Sequence, residues 1–126
     1  MTAKKSVLVI GLQPTLIDFS APDYAAFPGL KVLAALKADE DRLNSLGYDV
    51  QMCLTDFGET AEAVVLDHLK RNRFDYVLIG VGVRTIPKHF ILFEKLINVV
   101  HANAPQAKLC FNTKPSDTAE AVQHWI

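Results

Sequence analysis

Cysteine is scarce: Cys53 and Cys110 are the only two among 126 residues, and each is set inside an apolar, strand-like run. Chains held together by disulfides carry many more, so buried free thiols in a reducing compartment are expected. Charge of one sign is also lacking. A formal net charge of -1 gives no electrostatic case for nucleic acid or an acidic membrane surface. There is no long hydrophobic run. The leading MTAKKS carries two lysines, but only a short apolar stretch follows, which reads as a first strand and not a signal peptide, and no segment nears membrane-spanning length. A cytoplasmic protein with no nucleic-acid or membrane partner is therefore expected.

Several chemistries are missing as well. His68, His89, His101 and His124 do not fall at ligand spacing, so no metal is expected. There is no phosphate-loop lysine motif. Gly80-x-Gly82 lacks the third glycine of the dinucleotide fingerprint and follows the third strand instead of the first. No cofactor is expected on these grounds. Both cysteines lie within strands, which argues against a Cys-His nucleophile.

What is present is a run of alternating elements. Half the residues are hydrophobic and 21% are charged, ordinary for one globular domain over residues 1–126 with a core of its own. Phe74 to Arg84, FDYVLIGVGVR, is the organising stretch. Its apolar run fits a strand covered on both faces. The glycine pair lets backbone approach backbone or ligand closely, and Arg84 lands where such sheets keep their sites. Ser6 to Leu12 reads as the first strand, again without alternation and hence central. Gln13 to Gly29 holds three prolines among large apolar residues, which forbids one continuous helix and suggests an ordered excursion over the top of the sheet. Leu30 to Leu46 is a first long helix, with Val32, Leu33, Leu36, Leu43 and Leu46 along one side, Asp39 to Arg42 on its wet face, and Gly47 as its stop.

Tyr48 to Thr55 starts with polar–apolar alternation and suits an edge strand; Ala61 to Asn72 is a second helix. After Pro87, His89 to Asn103 is a third helix with two apolar stripes. Phe90, Phe93, Ile97 and Val100 are expected inward; Leu92, Leu96 and Val99 are expected outward. That surplus predicts a homodimer through the Phe90–Val100 helix, joined by Trp125 and Ile126. Lys108 to Asn112 is the last strand. Asp117 to Ile126 closes the chain, with Asp117 and Glu120 spaced as a capping box. Glu59-Thr-Ala-Glu-Ala-Val64 and Asp117-Thr-Ala-Glu-Ala-Val122 echo each other, each opening a helix after a strand.

Strand and helix thus alternate four times. The expected fold is a three-layer α/β/α sandwich, flavodoxin-like or Rossmann-like, with a four-stranded parallel sheet in the order 2-1-3-4. Val7-Leu-Val-Ile10, Phe74-Asp-Tyr-Val-Leu-Ile79 and this alternation resemble the receiver domains of two-component signalling. That resemblance implies phosphoryl transfer at an aspartate, but the residues depart from it. Gly11 and Leu12 stand where receivers carry an acidic pair, and Gly80 to Gly82 where they carry the phosphorylated aspartate. Lys114-Pro115 matches a receiver Lys-Pro pair, one strand early. GVGVRTIPKHF and FNTKPSDTAEAV are also similar to stretches of small uncharacterised bacterial proteins, which implies no activity.

In such a sheet the ligand crevice lies beyond the carboxyl ends of the strands. Gln13, Thr15, Thr55, Asp56, Gly82, Arg84, Thr85, His89, Asn112, Thr113 and Lys114 are gathered there by topology, with Asp18 in reach from the first loop. Cations and hydroxyls of this kind suit a small phosphate- or carboxylate-bearing ligand. The plainer reading is that loop ends are wet and Arg84 merely caps or pairs with Asp56. Two functional classes stay open: a binding or interaction domain without a phosphorylation site, and an enzyme acting on an anionic substrate held by Arg84. Sequence does not decide between them.

Overall fold

Each uninterrupted apolar run becomes a strand covered on both sides. The computed structural model describes residues 5–17, 29–84, 86–114 and 117–125. Its elements are β1 (Ser6–Leu12), a 3-10 turn (Pro14–Leu16), α1 (Gly29–Ser45), β2 (Asp49–Thr55), α2 (Ala61–Arg71) and β3 (Tyr76–Ile79). They continue with α3 (Val81–Arg84), a second 3-10 turn (Pro87–His89), α4 (Phe90–Asn103), β4 (Lys108–Phe111) and α5 (Thr118–Gln123). The strands are all parallel, in the order β2-β1-β3-β4. This is the expected three-layer, flavodoxin-like sandwich.

Alternation along the strands assigns the two core layers. Leu8, Ile10, Cys53, Val77 and Ile79 face Val65 and Leu69 of α2 and Leu92, Leu96 and Val100 of α4. Val7, Val9, Tyr76, Leu78 and Cys110 face Leu43 of α1 and Ala119 and Val122 of α5. Each buried aliphatic chain stabilises by roughly 1.5–3 kcal/mol, so these layers outweigh any single polar contact. Asp75 fixes the entry of the central pair: its carboxylate accepts from the Ser6 N–H at 2.9 Å, and its own N–H donates to the Ser6 carbonyl at 2.9 Å. Gly47 ends α1 with a φ of 95°, a left-handed turn that favours glycine.

Three expectations about side chains are corrected. On α4 the stripes are only partly as expected: Val100 is inward, but Leu92 and Leu96 are buried too, while Phe90 is 56% exposed beside Ile91 at 57%. The helix packs on both the sheet and α2, so it buries one broad arc centred on Leu92, Leu96 and Val100. Phe93 and Ile97 flank that arc on one side and Val99 on the other, each half-buried. The surplus apolar surface behind the homodimer expectation thus shrinks to the first residues of α4. On α1, Asp39 leaves the wet face and is 5% exposed, because α5 returns over that side of the helix. At α5 the capping box does not form. The Asp117 carboxylate makes no bond to the helix; it turns back to the preceding loop, and Glu120 pairs with Arg42 of α1.

Candidate functional site at the carboxyl edge

The end of β3 sets the geometry. The Gly80 N–H donates to the Ile10 carbonyl at 2.8 Å, and a Cβ at Gly80 would stand 3.2 Å from that oxygen. A side chain here would press on that backbone oxygen, which favours glycine. A Cβ at Gly82 would have nothing within 4 Å, so no backbone neighbour approaches it closely. The chain then coils into the single turn α3, with the Val83 N–H on the Gly80 carbonyl at 3.1 Å.

Asn112 holds that turn from the end of β4. Its Oδ1 accepts from the Val81 N–H at 2.7 Å, and its Nδ2 donates to Thr118 Oγ1 at 3.1 Å. The Thr118 hydroxyl is also bonded to the Asp39 carboxylate. Asn112 and Thr118 are both buried. A directed chain therefore runs from Val81 through Asn112 and Thr118 to Asp39. One Asp39 oxygen, Oδ2, is buried without a hydrogen-bond partner, and burial pushes the Asp39 carboxyl up.

Arg84 reaches back across the same point. Its Nη2 donates to the Asn112 carbonyl, and its guanidinium carbon lies 5.4 Å from the centroid of the Phe111 ring, within range of a cation–π contact. Burial lowers its pKa, with Asp117 acting the other way. Its Nε has no hydrogen-bond partner.

The expected pairing with Asp56 is absent. The Asp56 carboxylate accepts from the Gly58 N–H at 3.0 Å, the Thr60 N–H at 3.0 Å and the Thr60 hydroxyl at 2.7 Å. Those bonds, the hydroxyl first, hold its carboxyl below the usual range. Asp117 behaves alike. Burial pushes its carboxyl up, yet bonds from the Thr113 hydroxyl and N–H and from the Lys114 N–H bring it below the ordinary value. Thr113 and Lys114 are thus joined to the Asn112 cluster by backbone, with their side chains exposed.

The remaining candidates lie nearer β1 and β2. His89 is buried and stacks on Phe57, with ring centroids 5.4 Å apart and planes 7° from parallel. The Gln13 N–H donates to the Thr55 carbonyl at 2.8 Å, tying the end of β1 to the end of β2. Thr55 Oγ1 donates to the Gly11 carbonyl at 3.3 Å. Thr15 is exposed on its 3-10 turn. Asp18, Thr85 and the rest of the proline-rich excursion over 18–28 lie outside the described residues.

Sequence reasoning missed Phe57, Phe111, Asp39 and Thr118. The echoed hexapeptide carried a usable signal for the last. In both copies the first residue after the strand, Asp56 or Asn112, bonds the threonine of the echo, Thr60 or Thr118. It missed the aromatic rim too. Among the described residues the exposed large hydrophobics are Leu16, Leu46, Phe57, Phe90, Ile91, Phe111 and Trp125. Leu16, Phe57, Phe90 and Ile91 follow the carboxyl ends of β1, β2 and β3, and Phe111 is the last residue of β4.

Among the described residues no group of three or more His, Cys, Asp or Glu side chains is placed to hold a metal ion. Burial pushes both thiols up to about 11, which leaves them poor nucleophiles. No helix among the described residues is long and apolar enough to cross a membrane. Comparison with protein-family models and with curated proteins finds no match for the chain. The class that stands is a small α/β domain built on a four-stranded parallel sheet.

Proposed function

We propose that the chain is a non-catalytic binding domain of the cytoplasm, receiver-like in layout but without a phosphorylation site, that docks a protein partner on its carboxyl edge. The observation that carries this is the division of labour at that edge. Polar groups suited to chemistry are already engaged within their own loops: Asp56 on Gly58 and Thr60, Asp117 on Thr113 and Lys114, His89 stacked on Phe57. Apolar groups are turned outward, with Leu16, Phe57, Phe90, Ile91 and Phe111 exposed. Exposed apolar surface gathered on one side is the usual mark of a docking face. The two buried free thiols, one in each core layer, suit a reducing compartment.

One observation favours a second reading. The buried, unpartnered Nε of Arg84 is a donor that a bound phosphate or carboxylate would satisfy, as an enzyme for anionic substrates requires. A photo-crosslinking side chain placed at Phe90, with Leu46 as control, separates the two readings together with a thermal-shift screen of phosphates, nucleotides and carboxylates. Discrete adducts from position 90 alone, with no anion stabilising the wild type, support docking. An anion that stabilises the wild type but not Arg84→Ala, with no adducts at position 90, moves the assignment to the small-molecule reading. Acetyl phosphate with magnesium should leave the protein unlabelled under either.

A further inference from the structure

β2 is an edge strand whose outer side meets no other strand among the described residues. The Asp49 N–H donates to the Lys5 carbonyl and the Thr55 carbonyl accepts from the Gln13 N–H, both at 2.8 Å. In a parallel ladder alternate residues face the same neighbour. Asp49, Gln51, Cys53 and Thr55 therefore present their backbone groups to β1, and Val50, Met52 and Leu54 present theirs outward. Natural edges are blunted by lysine, proline or a bulge. From Val50 to Leu54 this edge carries no charge and no proline. Beside it, Leu36, Lys37 and Glu40 of α1 and Met52 and Leu54 of β2 line an open, mainly apolar groove of about 390 Å³. The opposite edge, β4, spans only Lys108–Phe111, and the Lys108 Nζ lies 5.9 Å from the Trp125 ring centroid.

From this edge we infer that two copies of this chain join through β2, antiparallel about a two-fold axis at Met52, into one continuous sheet. The outward residues are symmetric about Met52. A second copy pairs Met52 with its own Met52 and Val50 with Leu54, each pair exchanging both backbone bonds. The same axis sets α1 beside α1 of the second copy, because the groove joins the middle of α1 to Met52 and Leu54. Lys37 of each copy then faces Glu40 and Asp41 of the other. Within one chain Lys37 already reaches those carboxylates at 3.4 and 3.0 Å, so a shift of partner keeps every charge matched. This isologous arrangement is closed and self-complementary. It does not depend on the docking role of the carboxyl edge, and it moves the homodimer contact from α4 to β2.

The test is sedimentation of the full chain, followed by two substitutions on the axis. Wild type should be a dimer at high micromolar concentration. Met52→Pro removes an outward N–H without touching the β1 ladder, and should give a folded monomer by circular dichroism. Met52→Cys places like residues of a hydrogen-bonded pair about 5.5 Å apart, within disulfide reach. It should cross-link on oxidation, whereas Val50→Cys, which faces Leu54, should not. If Met52→Pro fails to fold, the cysteine pair decides. A monomeric wild type, whose edge is then left to a strand of another protein, overturns the inference. So does a folded Met52→Pro that stays dimeric, a Val50→Cys that links better than Met52→Cys, or a dimer dissolved by Phe90→Asp.

Discussion

Asn112→Asp is the most informative single change, because it alters one atom type in the middle of a directed hydrogen-bond chain. In the wild type the Thr118 hydroxyl accepts from Asn112 Nδ2 and is bonded to the Asp39 carboxylate. The substituted carboxylate keeps the acceptor for the Val81 N–H but turns the Thr118-facing donor into an oxygen. One hydroxyl proton then stands between two carboxylates, and a second acid joins a site already holding the buried, unpartnered Asp39 Oδ2. A buried hydrogen bond lost with its acceptor stranded costs about 1–3 kcal/mol. Crowding two carboxylates adds to that until one takes up a proton. A total loss of about 2–4 kcal/mol at neutral pH follows, or a fall in Tm of roughly 6–16 °C for a chain of this size.

The pH dependence gives the stronger check. Carboxyl groups whose folded-state pKa is raised impose their penalty above that value and shed it as the pH falls toward their unfolded pKa near 4. The gap between Asn112→Asp and wild type should therefore narrow steadily from neutral pH to about 5, by urea denaturation followed by circular dichroism. A variant as stable as wild type, or one whose deficit is the same at both pH values, would refute the directed chain.

On α4, Leu96→Ala should cost about 2–5 kcal/mol and Phe90→Ala less than about 0.5 kcal/mol by the same denaturation assay; the reverse order would restore the stripe assignment made from sequence. At the end of β3, Gly80→Ala should lower Tm because its Cβ presses on the Ile10 carbonyl, whereas Gly82→Ala, in open space on a helical turn, should be neutral or stabilising by up to about 1 kcal/mol. Asp39→Asn should raise Tm at neutral pH, since burial pushes that carboxyl up; the gain should vanish toward low pH, where the acid is neutral in wild type too. A loss of stability at neutral pH would show that the Asp39 charge is needed.

The sheet was legible because its signals are local. Val7 to Ile10 and Val77 to Ile79 are apolar without alternation, and their shortness, β-branched content and flanking glycines favour a doubly covered strand over a buried helix. Strand order followed from crossover rules acting on the same runs. Asp39 was illegible because what buries it, the start of α5, is far along the chain; within its own helix it sits among Glu40, Asp41 and Arg42. The α4 stripes were misassigned because periodicity reports an apolar arc but not how many neighbours share it. Arg84 was placed at the right edge, yet its partner is a backbone carbonyl, and no residue type advertises a free carbonyl. The capping box at Asp117 failed since Thr113 and Lys114 compete for the same carboxylate from three and four residues upstream, a choice that spacing alone leaves open.

The position of β1 in the middle of the sheet governs the order in which this chain assembles. The strand is made early, yet Ser6 takes its first anchor from Asp75, 69 residues on, and its other neighbour begins at Asp49. Until those segments arrive the backbone groups of β1 are satisfied by water alone, and closing such long loops is an entropic debt that short-range contacts do not carry. The Asn112 tie to Val81 and Thr118 comes later still. Folding should accordingly be slow for a domain of this length. On the ribosome, protection of β1 amides from hydrogen exchange should begin once β2 has cleared the exit tunnel and be complete only after β3 has, with full rigidity of the Val81–Arg84 turn only after α5 has.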